Sequence, residues 1–231
     1  MNGDATLHTG TTSGHGLSPG SGFDAPLLGV AARLCTEDGR EVALAVRRWH
    51  QLARGSDHWL LERCQGPTVD LGCGPGRLLA WLLDHGIKAL GVDVSPYAGK
   101  ACLPRRDVVV HRDVFDVLPG EGSWSHVLLA DGNIGIGGDP VALLTRCARL
   151  LSGGGSVLVE LDPADRGLWC GSARVHTIAT AGTHTAQSGP CFRWARVGRD
   201  ALSQVAGAAG LRIADHQHGR RCFAELRPTP G

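Results

Sequence analysis

Between Thr68 and Leu161, short apolar runs alternate with helix-patterned segments five times over about 95 residues. Thr68–Leu71, 88–93, 107–111, 125–130 and 156–161 read as strands. Residues 77–85, a short segment after Pro96, and 139–151 read as helices. The runs are apolar on both sides of the pleat, as in strands covered on both faces. This alternation predicts a parallel sheet with helices on either side. Gly86 closes the first helix, Pro140 opens the last, and Gly153-Gly154-Gly155 stops it.

The flanking segments read differently. Residues 1–24 are rich in Gly, Ser, Thr and His without a hydrophobic period, and read as a disordered tail in which His8 and His15 are solvated. Residues 25–65 read as a helical cap, because Val42, Val46, Trp49, Leu52 and Ala53 recur at helix spacing. Ser56 is placed to cap a second helix that carries Asp57 in its first turn and runs through Trp59, Leu60 and Cys64. Residues 66–231 form the core, with an insert at about 165–199 in which 173–180 and 191–197 pair as a hairpin. A helix over 200–209 ends at Gly210, and 211–216 with 222–226 form an antiparallel pair at the sheet edge. No internal repeat is present, and one domain is expected.

Composition narrows the function classes. Gly supplies 34 of 231 residues without a Gly-X-Y period, which excludes collagen. With 42% hydrophobic residues and a net charge of +1, the chain as a whole is not disordered. The 23 basic and 22 acidic residues give no electrostatic case for nucleic acid or an anionic membrane. Eight cysteines without a Cys-x-x-Cys pair read as reduced thiols. No apolar run approaches the ~18 residues of a membrane span, and no signal peptide is evident, so a cytoplasmic protein is expected.

The glycines concentrate where chemistry is possible. Val69-Asp70-Leu71-Gly72-Cys73-Gly74-Pro75-Gly76-Arg77 lies between a predicted strand and a predicted helix. Glycine there permits a sharp turn and close approach of a ligand to the backbone. A dinucleotide fingerprint would need Gly where Arg77 stands, so the pattern is Asp-x-Gly-x-Gly-x-Gly led by Asp70. Asp93 ends the next strand, 21 residues after Gly72, where a carboxylate can accept two ribose hydroxyls. Asp113 follows the third strand, where it can accept from an adenine amino group beside Val114 or Phe115.

On these residues the chain resembles class I S-adenosylmethionine-dependent methyltransferases, over roughly residues 42–227. The resemblance implies a Rossmann-like, doubly wound α/β fold: a mostly parallel seven-stranded sheet with an antiparallel edge strand. It implies S-adenosylmethionine as cofactor and S-adenosylhomocysteine as product. The methionine part would fall to Asp70, Gly72, Cys73, Gly74 and Gly76, with Asp131 after the fourth strand. The ribose would fall to Asp93 and Val94, and the adenine to Asp113 and Val114.

The acceptor is less legible. Methyl transfer from a sulfonium needs alignment and a dry pocket, and a base only when the acceptor holds its proton tightly. The loop 131–140 lacks the Asn/Asp-Pro-Pro-aromatic motif of the family's adenine- and glutamine-directed members. Asn133 is a candidate to orient an acceptor, or else to hold a left-handed turn. Trp49, Ile134 and Trp194 are candidate substrate walls, with Trp59 and Trp169 also in the flanking segments. His176 and His184 in the insert are candidate bases. His216 and His218 lack a third ligand, so no metal is expected. The expected activity is O- or N-methylation of a small-molecule acceptor, a biosynthetic transferase of specialised metabolism. A peptide or protein methyltransferase, and a SAM-binding protein with non-methylating chemistry or a regulatory role, are the alternatives. Nothing in the sequence specifies an oligomeric state.

Overall fold

The computed structural model describes residues 22–101, 108–164, 166–179 and 186–230. The tail reading of 1–21 and the base candidate His184 lie outside the described residues. Among the described residues, no helix is long and apolar enough to cross a membrane.

The helical reading of 25–65 is corrected by the structure. After one helical turn, Asp24–Leu27 (α1), the chain forms two antiparallel strands, Ala32–Thr36 (β1) and Glu41–Ala43 (β2). Helix is confined to Val46–Trp49 (α2) and His58–Leu61 (α3), with a 3-10 turn at Gly55–Asp57 between them. The decisive local signal is Asp38-Gly39, a hairpin turn in which the Thr36 hydroxyl donates to the Asp38 carboxylate at 2.5 Å. Along β1, Ala32, Leu34 and Thr36 are buried while Arg33 is exposed, the period-two burial of a half-covered strand. Val42, Val46 and Trp49 mimic a helical stripe only because a strand end and a single turn fall in phase.

The core follows the predicted alternation, except that residues 96–101 form turns and not the expected short helix: Thr68–Leu71 (β3), Arg77–Asp84 (α4), Ala89–Asp93 (β4), Val109–His111 (β5), Trp124–Leu129 (β6), Pro140–Leu150 (α5) and Leu151–Leu161 (β7). Next come Leu168–Thr177 (β8), Phe192–Val197 (β9), Arg199–Ala208 (α6), Leu211–Gln217 (β10) and Cys222–Pro228 (β11). Seven strands form one sheet in the order β10-β11-β7-β6-β3-β4-β5. Strands β7, β6, β3, β4 and β5 run parallel, and β11 is antiparallel to both β7 and β10. This is the Rossmann-like, mostly parallel sheet with one reversed strand, β11, next to its edge strand β10. The chain moves outward in opposite directions from β3 and β6, so the crevice at their carboxyl ends is the topological switch point where such sheets bind ligands.

Two local readings change. The fifth strand starts earlier than expected, so the triple glycine 153–155, read as the stop of the helix, lies inside β7. A Cβ at Gly155 would stand 2.8 Å from the Ser125 carbonyl oxygen, so only glycine admits this approach of backbones. The expected pairing of 173–180 with 191–197 is shifted: β9 pairs with the first half of β8, Leu168 to Ala173, while Ala173 to Thr177 pair with β1, giving a four-stranded antiparallel sheet of order β2-β1-β8-β9. Ala32, Leu34, Ala173, Val175 and Trp194 form its own small core.

Helix α5 buries Leu143, Leu144, Cys147 and Leu150 at helical spacing against the sheet. Its N-cap is Asp139, whose carboxylate accepts from the Ala142 N–H at 2.9 Å. Asp139→Ala is expected to lower the unfolding free energy by about 1 kcal/mol, read from the denaturant midpoint at unchanged slope.

Candidate functional site

The carboxyl ends of β3, β4 and β6 open into a cavity of ≈ 840 Å³, bounded on its other side by the second sheet. Asp70, Gly72, Cys73, Gly74, Asp93, Val94, Asp113, Val114 and Asp131 all line it. Gly76 is not on the wall; it is the N-cap of α4, at φ +94.

The glycine turn is fixed from two directions. The Asp93 carboxylate accepts from the Gly74 N–H at 3.0 Å and, through its other oxygen, from the Ser95 N–H at 2.9 Å. Burial pushes the Asp93 carboxyl up, and these two donors oppose that push. From the β6 side, the Asn133 amide donates to the carbonyls of Leu71 and Gly72 at 2.9 and 2.8 Å. Gly72, at φ +73, leaves room for this clamp: a Cβ there would stand 2.5 Å from the Asn133 amide nitrogen. Asn133 therefore spends both amide protons on the turn, a positioning role, although it lines the cavity. Beyond β5, the Asp113 carboxylate accepts from the Phe115 N–H at 3.0 Å and Val114 is buried, while Val94, after β4, is exposed.

Under the turn lies a charge network that sequence reading did not find. Arg77, 3% exposed, forms an ion pair with Asp57 at 2.5 Å and donates to Asp131 at 2.6 Å. Arg221 grips Glu160 at 2.7 and 2.6 Å and also pairs with Asp57. Glu160 accepts from the Asp131 N–H at 2.6 Å, and Arg48 pairs with Asp131. Burial alone would raise the Asp131 carboxyl, but Arg77, Arg48 and Arg221 outweigh it and hold it below the ordinary range. Asp131 is the one non-glycine residue at positive φ among those described (φ 55), a conformation such a network can sustain. Asp70 has the opposite fate. Burial, with Asp131 and Asp93 nearby, overcomes Arg77 and pushes its carboxyl up to about 7.

The other half of the cavity is apolar. Phe23, Phe192 and Trp194 pack with ring centroids 5.4–5.9 Å apart. Leu34, Val42, Leu44, Trp49, Ile134 and Ile136 extend this wall. Trp49, Ile134 and Trp194 thus meet on one cavity as the sequence reading placed them. His176 does not join them. It lies outside the cavity lining and pairs with the Ser188 hydroxyl at 3.2 Å. His216 and His218 sit on β10 and just beyond it, 4.7 Å apart between ring centroids, and no group of three metal-capable residues occurs among the described residues.

Residues 69–159 match a family model described as a methyltransferase domain. No curated protein matches the sequence. Among solved structures, the chain is similar to an S-adenosylmethionine-dependent methyltransferase from Bacteroides fragilis in complex with S-adenosyl-L-homocysteine. The two are 15% identical, with 90% of this chain and 96% of that chain covered at a TM-score of 0.70. It is similar to the CcbJ methyltransferase of Streptomyces caelestis, at 20% identity, 71% and 89% coverage and a TM-score of 0.57. It is also similar to a Burkholderia thailandensis 1,6-didemethyltoxoflavin-N1-methyltransferase with bound 1,6-didemethyltoxoflavin and S-adenosylhomocysteine. There the identity is 21%, the coverage 75% of each chain and the TM-score 0.52. At these identities the structural likeness establishes the fold.

Proposed function

We propose, from the match of residues 69–159 to a methyltransferase domain, that the chain methylates a small-molecule acceptor of specialised metabolism, at oxygen or nitrogen, with S-adenosylmethionine as donor. The observation that carries this reading is the cavity itself. One wall is the glycine turn with its acidic residues, and the facing wall is an aromatic surface roofed by a second sheet. Concave, largely apolar cavities of this size suit small ligands rather than extended polymers.

The residues fit the cofactor. The Asp93 carboxylate faces the cavity beside the exposed Val94, suited to ribose hydroxyls, and Asp113 with Val114 suits an adenine edge. Asp70 and Asp131 flank the turn at the methionine end. Gly132 lines the cavity, and a Cβ there would meet nothing within 4 Å, leaving a backbone cradle. When bound, S-adenosylmethionine supplies an electrophilic sulfonium methyl, and its C–S bonding pair stays on sulfur as S-adenosylhomocysteine forms. The chain's own contribution is alignment and exclusion of water. Asn133 and Asp93 fix the turn, and Phe23, Phe192 and Trp194, inclined to one another, present an apolar aromatic surface to the acceptor. The B. thailandensis enzyme, whose acceptor is a small heterocycle, supports the substrate class.

The test is incubation of the purified protein with methyl-labelled cofactor and three fractions: a small-molecule extract, total protein and tRNA. Label is expected in the small-molecule fraction alone. Label in protein or tRNA with none in the extract overturns the acceptor class. Failure of S-adenosylhomocysteine to bind in calorimetry overturns the cofactor reading as well.

A further inference from the structure

The buried ion network contains one member that the reading above leaves without a task. Asp57 lies in the 3-10 turn before α3, is 1% exposed, and does not line the cavity. Its carboxylate nevertheless receives both Arg77 and Arg221 and accepts from the Arg54 N–H at 3.2 Å. Ion pairs and hydrogen bonds together close a ring. Asp57 binds Arg77, Arg77 binds Asp131, the Asp131 N–H binds Glu160, Glu160 binds Arg221, and Arg221 returns to Asp57. Its members come from five places in the chain: the segment before α3, the head of α4, the ends of β6 and β7, and the β10–β11 turn. Two of them, Arg77 and Asp131, stand at the cofactor turn, Arg77 directly after Gly76 and Asp131 in its left-handed conformation.

We propose that Asp57 is a positioning residue of the cofactor site: by sharing Arg77 and Arg221 it sets where their charge sits, and so fixes Asp131 and the electrostatics of the glycine turn. This rests on reading the cavity as the S-adenosylmethionine site. Arg77 can serve two carboxylates because its planar fork reaches both at once. Without Asp57, Arg77 and Arg221 each lose a buried partner, and their charge falls on the carboxylates that remain at the turn. The group that reports this is Asp70. It is faced by Arg77 from α4, Asp93 from β4 and Asp131 from beyond β6, with the thiols of Cys73 and Cys64 beside it. Removing the Asp57 charge and freeing Arg77 both favour ionised Asp70. Removing Arg221 disfavours it.

The experiment is calorimetric titration of the full chain with S-adenosylhomocysteine from pH 5.5 to 9, for wild type, Asp57→Asn and Arg221→Met, with circular dichroism as the fold control. Wild-type binding is expected to weaken on acidification with a midpoint near 7. Asp57→Asn should bind at least about tenfold more weakly at pH 8, with its midpoint moved down by about 0.5 in pH. Arg221→Met should also bind more weakly, with its midpoint moved up. Opposite displacements are the signature, because a purely structural loss would move both midpoints alike or neither. Folded Asp57→Asn that binds within twofold of wild type, or weaker binding with unmoved midpoints, overturns the proposal. If Asp57→Asn does not fold, the upward displacement in Arg221→Met decides it, and an unmoved midpoint there overturns it. Wild type that fails to bind S-adenosylhomocysteine at all refutes the cofactor reading instead.

Discussion

Replacing Asp93 by alanine is expected to weaken S-adenosylhomocysteine binding by about five- to a hundred-fold, roughly 1–3 kcal/mol, in a protein that still folds. Two losses combine. One is the charge-assisted pair of hydrogen bonds to the ribose that a carboxylate at the end of β4 can accept. The other is internal: the Asp93 oxygens hold the N–H groups of Gly74 and Ser95, so the turn loses its tie to β4. The fold should survive, because burial already disfavours the charged carboxylate and its removal relieves that cost. Asp93→Asn should fall between the two, since an amide oxygen can still accept from one N–H. Calorimetry on the folded variants measures this. Unchanged affinity in Asp93→Ala would sink the ribose assignment.

What the sequence made legible follows from the range over which each signal acts. Strands β3, β4 and β6 and helices α4 and α5 were readable because apolar runs and helical stripes are local patterns that burial on both faces imposes. The turn from Asp70 to Gly76 was readable because glycine is demanded by backbone geometry alone. The second sheet was missed in its N-terminal half. β1 and β2 are short, and their partner β8 lies beyond residue 167, so only the Asp38-Gly39 turn marked them locally. The ion network was harder still. Arg221 and Asp57 pair across 164 positions, and no period or motif announces such a contact. Asp131 shows what this does to a functional reading. The resemblance to methyltransferases assigned it, as the residue after β6, to the methionine part of the cofactor. In the structure both of its carboxylate oxygens are engaged by arginines, so its side chain is held in place by the protein itself.

Asp70 should show the converse: a residue held at a cost to stability. Burial, Asp131 and Asp93 raise its carboxyl to about 7 in the folded chain, whereas in the unfolded chain it titrates near 3.9. Between those values the folded state holds the proton and the unfolded state does not. Stability therefore falls as pH rises through that window, and the loss is complete above the folded value. Asp70→Asn removes the titration. The difference in unfolding free energy between variant and wild type is expected to shift in the variant's favour by roughly 2 kcal/mol between pH 5 and pH 8. Denaturant midpoints at the two pH values measure it, and any constant cost of the amide cancels in the comparison. The same variant should bind S-adenosylhomocysteine at least about tenfold more weakly at pH 8, because a neutral amide offers no charge to the methionine ammonium. A pH-independent difference would show that Asp70 ionises in the ordinary range in the folded protein. Undiminished binding would show that the charge of Asp70 is not what the methionine end uses. If both expectations hold, the acid that leads the glycine turn is a group whose ionisation the fold resists and the cofactor rewards, so ligand-induced stabilisation should itself grow from pH 5 to pH 8.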